Sequence, residues 1–123
     1  MIIIDTDVLI EIFDRNSKIG DEALKKIEES GEEVAITSIN LHEILYGHLK
    51  VGKKIQGIGK LDTIEFDKRD AEVSSKIEVN AEKNGRTIPR IDTMIAAIAV
   101  NRNAKLFTYN KKHFKEIKNI RLF

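Results

Sequence analysis

Apolar and polar positions follow one another along the chain in short blocks, and their period switches repeatedly between two and about 3.6 residues, the marks of strands and helices. Ile2-Ile3-Ile4-Asp5 is an apolar run that ends in a carboxylate and reads as a strand buried on both faces. Val8 to Phe13 reads as a short helix, and Asp21 to Ser30 as a longer one that Gly31 closes. Val34 to Thr37 reads as a second strand, after which Ser38 is placed to cap a helix from Ile39 to about Leu49. The Gly- and Lys-rich segment 50–61 fits a loop or an irregular helical hairpin. Thr63 to Phe66 alternates as a short strand, Asp67 is placed to cap a long helix through Lys83, and Asn84-Gly85 stops it. Ile91 to Asn103 is helical, Lys105 to Tyr109 a strand, Lys111 to Ile117 a short helix and Ile120 to Phe123 a final strand. Strands alternating with helices imply parallel pairing through right-handed crossovers, with helices on both faces of the sheet. The expected fold class is therefore α/β, and 123 residues fit one domain spanning 1–123.

In such a sheet, ligands bind beyond the carboxyl ends of the strands, near the point where strand order reverses. Asp5 stands at that end of the first strand. On the helix 39–49, Ile39, Glu43 and Gly47 share one edge while Leu41, Ile44, Leu45 and Leu49 form the apolar stripe, so Glu43 borders the core. Asp92 guards the entrance of a helix that is apolar all round from Met94 to Val100. Packed as the alternation implies, the three carboxylates enter one dry cleft, where like charges repel unless a divalent cation or protons compensate. Each acid also has a plainer role: Asp5 or Asp7 capping the first helix, Asp92 capping the buried one, Glu43 facing solvent. Capping alone does not explain why the end of a buried strand, the entrance of a buried helix and a core-bordering edge all carry acids.

Cysteine is absent, which excludes disulfides, thiolate metal sites and a Cys nucleophile; oxygen and imidazole remain as ligands and hard cations are favoured. His48 and His113 lack zinc-motif spacing, and His42 lies on the apolar side of its helix, as a core or interface residue would. A net charge of +1 says nothing for or against a polyanionic partner. Two basic clusters, Lys50 to Lys60 and Lys111 to Arg121, are either solvated faces or nucleic-acid contacts. With no signal peptide, lipidation motif or long apolar stretch, no membrane association is expected and the cytoplasm is the default compartment.

Four pieces of the chain resemble the PIN-domain endoribonucleases, above all the VapC-type toxins of toxin-antitoxin pairs: Ile3 to Ile10 (Ile-Ile-Asp-Thr-Asp-Val-Leu-Ile), Thr37 to Gly47, Gly85 to Ala97, and Leu106 to Asn110 with His113-Phe114. They occur in family order and span nearly the whole chain. The resemblance implies a three-layer α/β/α domain with four or five mainly parallel strands. It further implies a metal-dependent endoribonuclease in which Asp5, Glu43 and Asp92 hold Mg2+ or Mn2+ and Thr108 helps orient Asp5. The family often has a fourth acid where this chain has Asn110, and another acid where it has His113. Asn110 keeps an oxygen able to accept from metal-bound water, and is grouped with the catalytic set, although capping the following helix is an equal alternative. Arg86 and Arg90, on the loop stiffened by Pro89, either grip RNA phosphates or face solvent. A cognate antitoxin and a second copy of the chain are the implied protein partners, and Ile10, Phe13, Leu45 and Leu49 serve either a dimer seam or the core.

The chemistry agrees, since phosphodiester hydrolysis needs an activated water, a stabilised leaving oxygen and neutralised phosphate, all within reach of carboxylates with magnesium. Two other readings compete. Asp5-Thr6-Asp7 after a strand mimics the nucleophile motif of haloacid-dehalogenase-type phosphatases, although the lysine motif and later acidic loop of that chemistry are missing. The other is a binding module that has kept the fold and lost the chemistry, for which Asn110 is the argument.

Overall fold

The computed structural model of the chain describes residues 1–54 and 56–123. Its centre is β1 (Ile2–Ile4), three isoleucines almost wholly shielded from water. β1 pairs in parallel with β2 (Val34–Thr37) on one side and β4 (Lys105–Phe107) on the other. β3 (Asp62–Ile64) and β5 (Arg121–Leu122) complete a five-stranded, all-parallel sheet in the order β3-β2-β1-β4-β5. The chain builds outward from β1 to β2 and β3, then returns to add β4 and β5, so strand order reverses between β1 and β4. In open parallel sheets the ligand crevice lies at the carboxyl ends of the two strands that flank such a reversal, here β1 and β4.

Successive side chains on a strand point to opposite faces, and this divides the core in two. Ile3 and Leu106 pack on α4 (Lys68–Lys83), α5 (Arg90–Asn101) and α6 (Lys111–Phe114). Ile2, Ile4, Ile36 and Phe107 pack on α1 (Thr6–Leu9), α2 (Lys18–Ser30) and α3 (Ser38–Val51). α5 is as deeply buried as its apolar circumference requires: Ile95 to Ala99 are inaccessible, and its alanines admit close neighbours. α4 is locked to it by the wholly buried Asp70, which accepts from Asn101 Nδ2 (2.8 Å) and Arg102 Nη1 (2.9 Å).

Several expected boundaries move, each for a local reason. The helix expected over Val8 to Phe13 is α1 followed by a π-helical turn, Ile10–Asp14, that lies against α2. Gly20 permits that contact, because a Cβ there would overlap the Glu11 carbonyl. α2 begins at Lys18 rather than Asp21, because Ser17 caps it by accepting from Gly20 N at 3.0 Å. The cap of α3 is Thr37, not Ser38: Thr37 and Asn40 form a reciprocal capping box, which leaves the Ser38 hydroxyl to accept from Phe66 N. Within 50–61, α3 continues to Val51, Gly52 closes it at φ 73°, and Ile58–Lys60 makes a 3-10 turn. Position 55 of that segment lies outside the described residues. The strands expected over 63–66, 105–109 and 120–123 are shorter, and the helix expected over 111–117 ends at Phe114.

Candidate functional site

The crevice at the ends of β1 and β4 is built from the backbone outward. Asp5 N donates to the Phe107 carbonyl at 2.9 Å, which ties the first residue beyond β1 to the end of β4. Asp5 is also the N-cap of α1, so the capping role and the buried carboxylate coincide in one residue. Asp5 is 6% exposed, and its side chain is satisfied on both oxygens. Oδ1 accepts from Thr6 N (2.9 Å) and Asn40 Nδ2 (3.2 Å), and Oδ2 from the Thr108 hydroxyl (2.7 Å).

A chain of hydrogen bonds carries this order to the other acids. Asn40, fully buried near the start of α3, donates to Thr6 Oγ1 (3.0 Å) as well as to Asp5. Thr6 in turn donates to Glu43 Oε1 at 2.7 Å. Thr108 Oγ1 accepts from Asn110 N at 3.0 Å, and Tyr109 N donates to Asp7 Oδ2 at 3.0 Å, so the loop after β4 is pinned to the Asp-Thr-Asp turn after β1. Asp92, in the first turn of α5, faces His113 from α6, with Nδ1 2.8 Å from Asp92 Oδ2.

Electrostatics mark the crevice as short of positive charge. Burial pushes the Asp5 carboxyl up to about 6, against the hydrogen bond from Thr108 that lowers it, and the charges of Asp7 and Asp92 add to the rise. Burial raises Asp7 as well, against the N–H bond from Tyr109, and its Oδ1 is buried with no partner. Among the described residues no lysine or arginine forms an ion pair with Asp5, Asp7, Glu43 or Asp92. These acids, without a lysine or arginine partner, carry the oxygen donors that a hard cation takes.

The structure also corrects the sequence-based picture. Among the described residues no three Asp, Glu or His groups stand close enough to form a ready-made metal cage. Asp5 senses the charge of Asp92 and reaches Glu43 through Thr6, but each acid leans on its own hydrogen-bond donor, as repelling carboxylates do when nothing draws them together. Such a spread still suits magnesium, which keeps several waters and takes only one or two carboxylates directly. Asn110 is exposed and opens α6 without a side-chain cap bond, so its capping role is not realised. Arg86 and Arg90 are each paired with a glutamate, Glu116 and Glu78, both at 3.1 Å. Of the two places expected for His42, core or interface, the structure excludes the core: His42 is exposed and stacked on Tyr46, and Leu45 and Leu49, at 42% and 77% exposure, likewise lie outside the core.

Three participants have roles that sequence reasoning did not assign: Asn40, Asp7 and His113. Asn40 carried a signal, the Thr-x-x-Asn spacing of a capping box, which uses the amide oxygen and leaves both amide hydrogens to spare. Asp7 was visible only as an alternative cap. His113 lies 21 residues from Asp92, and no local pattern connects the two.

The family model for the PIN domain matches residues 2–120. The chain is similar to ribonuclease VapC2 of Rickettsia felis, 36% identical over 94 residues, covering 71% of this chain and 70% of that protein. It is similar to ribonuclease VapC1 of Methanocaldococcus jannaschii, 32% identical over 126 residues, covering 98% and 84%. Among solved structures it resembles VapBC2 from Rickettsia felis bound to a promoter DNA fragment, with a TM-score of 0.80, 25% identity and coverage of 100% of this chain and 98% of that one.

Proposed function

This chain belongs to the PIN domain family, and we propose that it is an endoribonuclease, the toxin member of a toxin-antitoxin pair, acting through one nuclease domain that spans 1–123. Its relatives named as ribonucleases support RNA as the substrate and hydrolysis as the reaction. The observation that carries the reading is Asp5: a buried carboxylate at the switch point of a parallel sheet, raised to about 6, with Glu43, Asp7 and Asp92 around it. A fold retains such a destabilising group where a ligand relieves it.

We assign Asp5, Glu43 and Asp92 as the residues that hold a divalent cation, Mg2+ or Mn2+. What the cation supplies when bound is a water of lowered pKa and neutralisation of the scissile phosphate. The protein's own part is orientation. Thr108 and Asn40 fix the Asp5 carboxylate from opposite sides, and Thr6 fixes Glu43, so the acids meet their ligand already aimed. Glu43 retains Oε2 without a protein partner among the described residues and is placed to accept a proton from an attacking water. Asn110, at the mouth of the crevice, offers a neutral carbonyl oxygen in place of a charge. Lys111 and Lys112 lie on the same short helix as His113, so part of the C-terminal basic cluster flanks the crevice and is available to RNA phosphates. Arg86 and Arg90 contribute to RNA binding only by exchanging their glutamate partners for phosphate.

The partners we assign are an RNA, a cognate antitoxin and a second copy of the chain. One similar protein of known structure is a VapBC2 complex bound to DNA, and the exposed α3 residues Leu45, Tyr46 and Leu49 offer apolar surface for a protein contact. We place its action in the cytoplasm; among the described residues no helix is long and apolar enough to cross a membrane. The haloacid-dehalogenase-type alternative is set aside by the family. The binding-module alternative keeps one argument, Asn110. A panel of end-labelled RNAs decides between cleavage and binding: internal cuts that need Mg2+ or Mn2+, stop with EDTA and vanish in Asp5→Asn are expected, and intact RNA under all conditions contradicts the proposal.

A further inference from the structure

The acids of the crevice are each held by a donor from another element: Asp5 by Thr108 and Asn40, Glu43 by Thr6. For Asp92 the donor is His113. α6 is only four residues long, but Phe114, wholly buried in the core beneath α5, anchors it, and His113 N is bonded to the Asn110 carbonyl at 2.9 Å. The imidazole is thus carried by a fixed backbone next to a core anchor rather than by a free surface helix. Its side chain is 32% exposed and that of Asp92 19%, so the pair sits at the lip of the crevice, partly shielded from water.

An ionised carboxylate only accepts hydrogen bonds, so Nδ1 must carry the hydrogen in the bond to Asp92 Oδ2. That fixes the ring and, through it, the carboxylate. Asp92 Oδ2 is occupied, while among the described residues no protein donor meets Oδ1, which is left for a ligand. Resting on the reading of the crevice as a divalent-cation site, we propose that His113 is a positioning residue for Asp92: it holds the carboxylate by Nδ1–H so that the free oxygen faces the cation or one of its waters. An acid at position 113 would repel Asp92; the imidazole turns that neighbour into a donor. With Asn110 uncharged beside it, this lip of the crevice presents one aimed carboxylate rather than a cluster of acids.

Two measurements test this. In the wild-type chain without metal at neutral pH, 15N-detected imidazole spectra should show His113 with its hydrogen on Nδ1, and the signal should move when Mg2+ is added. Calorimetric titration with Mg2+ and with Mn2+ should give an affinity about ten- to a hundredfold weaker in His113→Ala, the usual cost of losing an outer partner of a ligand. His113→Asn, whose amide Nδ2–H reaches the place of Nδ1, should restore most of the affinity. Asp5→Asn serves as the control for the site itself. If Asp5→Asn loses cation binding while His113→Ala binds as wild type does, the positioning role is overturned and the cation site stands. If neither variant changes binding, the cation site fails and the positioning role with it. Should His113→Ala not fold, the wild-type spectrum still decides: an Nε2–H ring, or one that ignores Mg2+, overturns the proposal.

Discussion

Asp5 is stable in its place only at a cost that the hydrogen bonds around it do not cover. Its folded-state pKa, about 6, lies above the value near 3.8 that it has when unfolded. The folded chain therefore holds the Asp5 proton more tightly than the unfolded chain does, and the associated stability is present in full below about pH 4 and lost as pH rises through about 6. Asp7, raised as well, acts in the same direction. Asp5→Asn removes this loss and keeps the hydrogen-bond geometry: its Oδ1 accepts from Thr6 and Asn40, while its Nδ2 donates to Thr108 Oγ1, whose own hydrogen can turn toward Asp7 Oδ2. We expect Asp5→Asn to be more stable than wild type by roughly 1–3 kcal/mol at pH 7.5 in EDTA, with the gap closing by about pH 4 and RNA cleavage abolished. Urea unfolding at the two pH values, read beside cleavage, checks this; a variant less stable at pH 7.5 contradicts it. The placement of Asp5 was legible in the sequence because an isoleucine run has no reason to end in a carboxylate. The partners of Asp92 and of Glu43 were not, since Thr6 and His113 reach them across 37 and 21 residues and a hydroxyl or imidazole at those positions has many other uses.

At the scale of elements, the alternation of periods fixed the kinds of element and their order, and the apolar circumference of α5 foretold its burial. Boundaries were less legible, because they depend on which of two adjacent hydroxyls caps a helix: Thr37 wins over Ser38 since Asn40 can answer it from three residues on. The π-helical turn at Ile10–Asp14 depends on the absence of a side chain at Gly20, and that shows only once α2 lies against the turn. The pairing of α4 with α5 rests on a polar clamp that periodicity does not register. Burial alone would raise the Asp70 carboxyl, but the donors from Arg102, Asn101 and Asp67 N outweigh it and hold the group below the usual carboxylate range. Asp70→Ala leaves those donors without their acceptor and should destabilise the fold by about 2–4 kcal/mol. Chemical denaturation measures the loss. Cleavage per folded molecule should be unchanged, because the clamp lies at the far end of α5 from Asp92; a cleavage defect in fully folded protein would contradict that separation.

For the molecule as a whole, the five-stranded parallel sheet places its switch point between β1 and β4 and so decides where the acids gather. The same fold leaves Leu45, Tyr46 and Leu49 exposed along α3, outside the core, where they are open to the contact with a second copy proposed above. Replacing Leu49, 77% exposed, by glutamate should leave the fold intact and turn a dimer into a monomer in sedimentation velocity. A wild-type chain that sediments as a monomer at all concentrations contradicts the seam. The central claim, that the turn after β1, α3 and α5 supply one shared site, is tested most directly by RNA cleavage in Asp5→Asn, Glu43→Gln and Asp92→Asn, alone and in pairs. Groups that act as a unit lose their effect together, so each single variant should fall by at least about a hundredfold and the paired variants little further. Cleavage that survives any one of the three changes, or losses that multiply from variant to variant, would mean that these carboxylates do not serve one site.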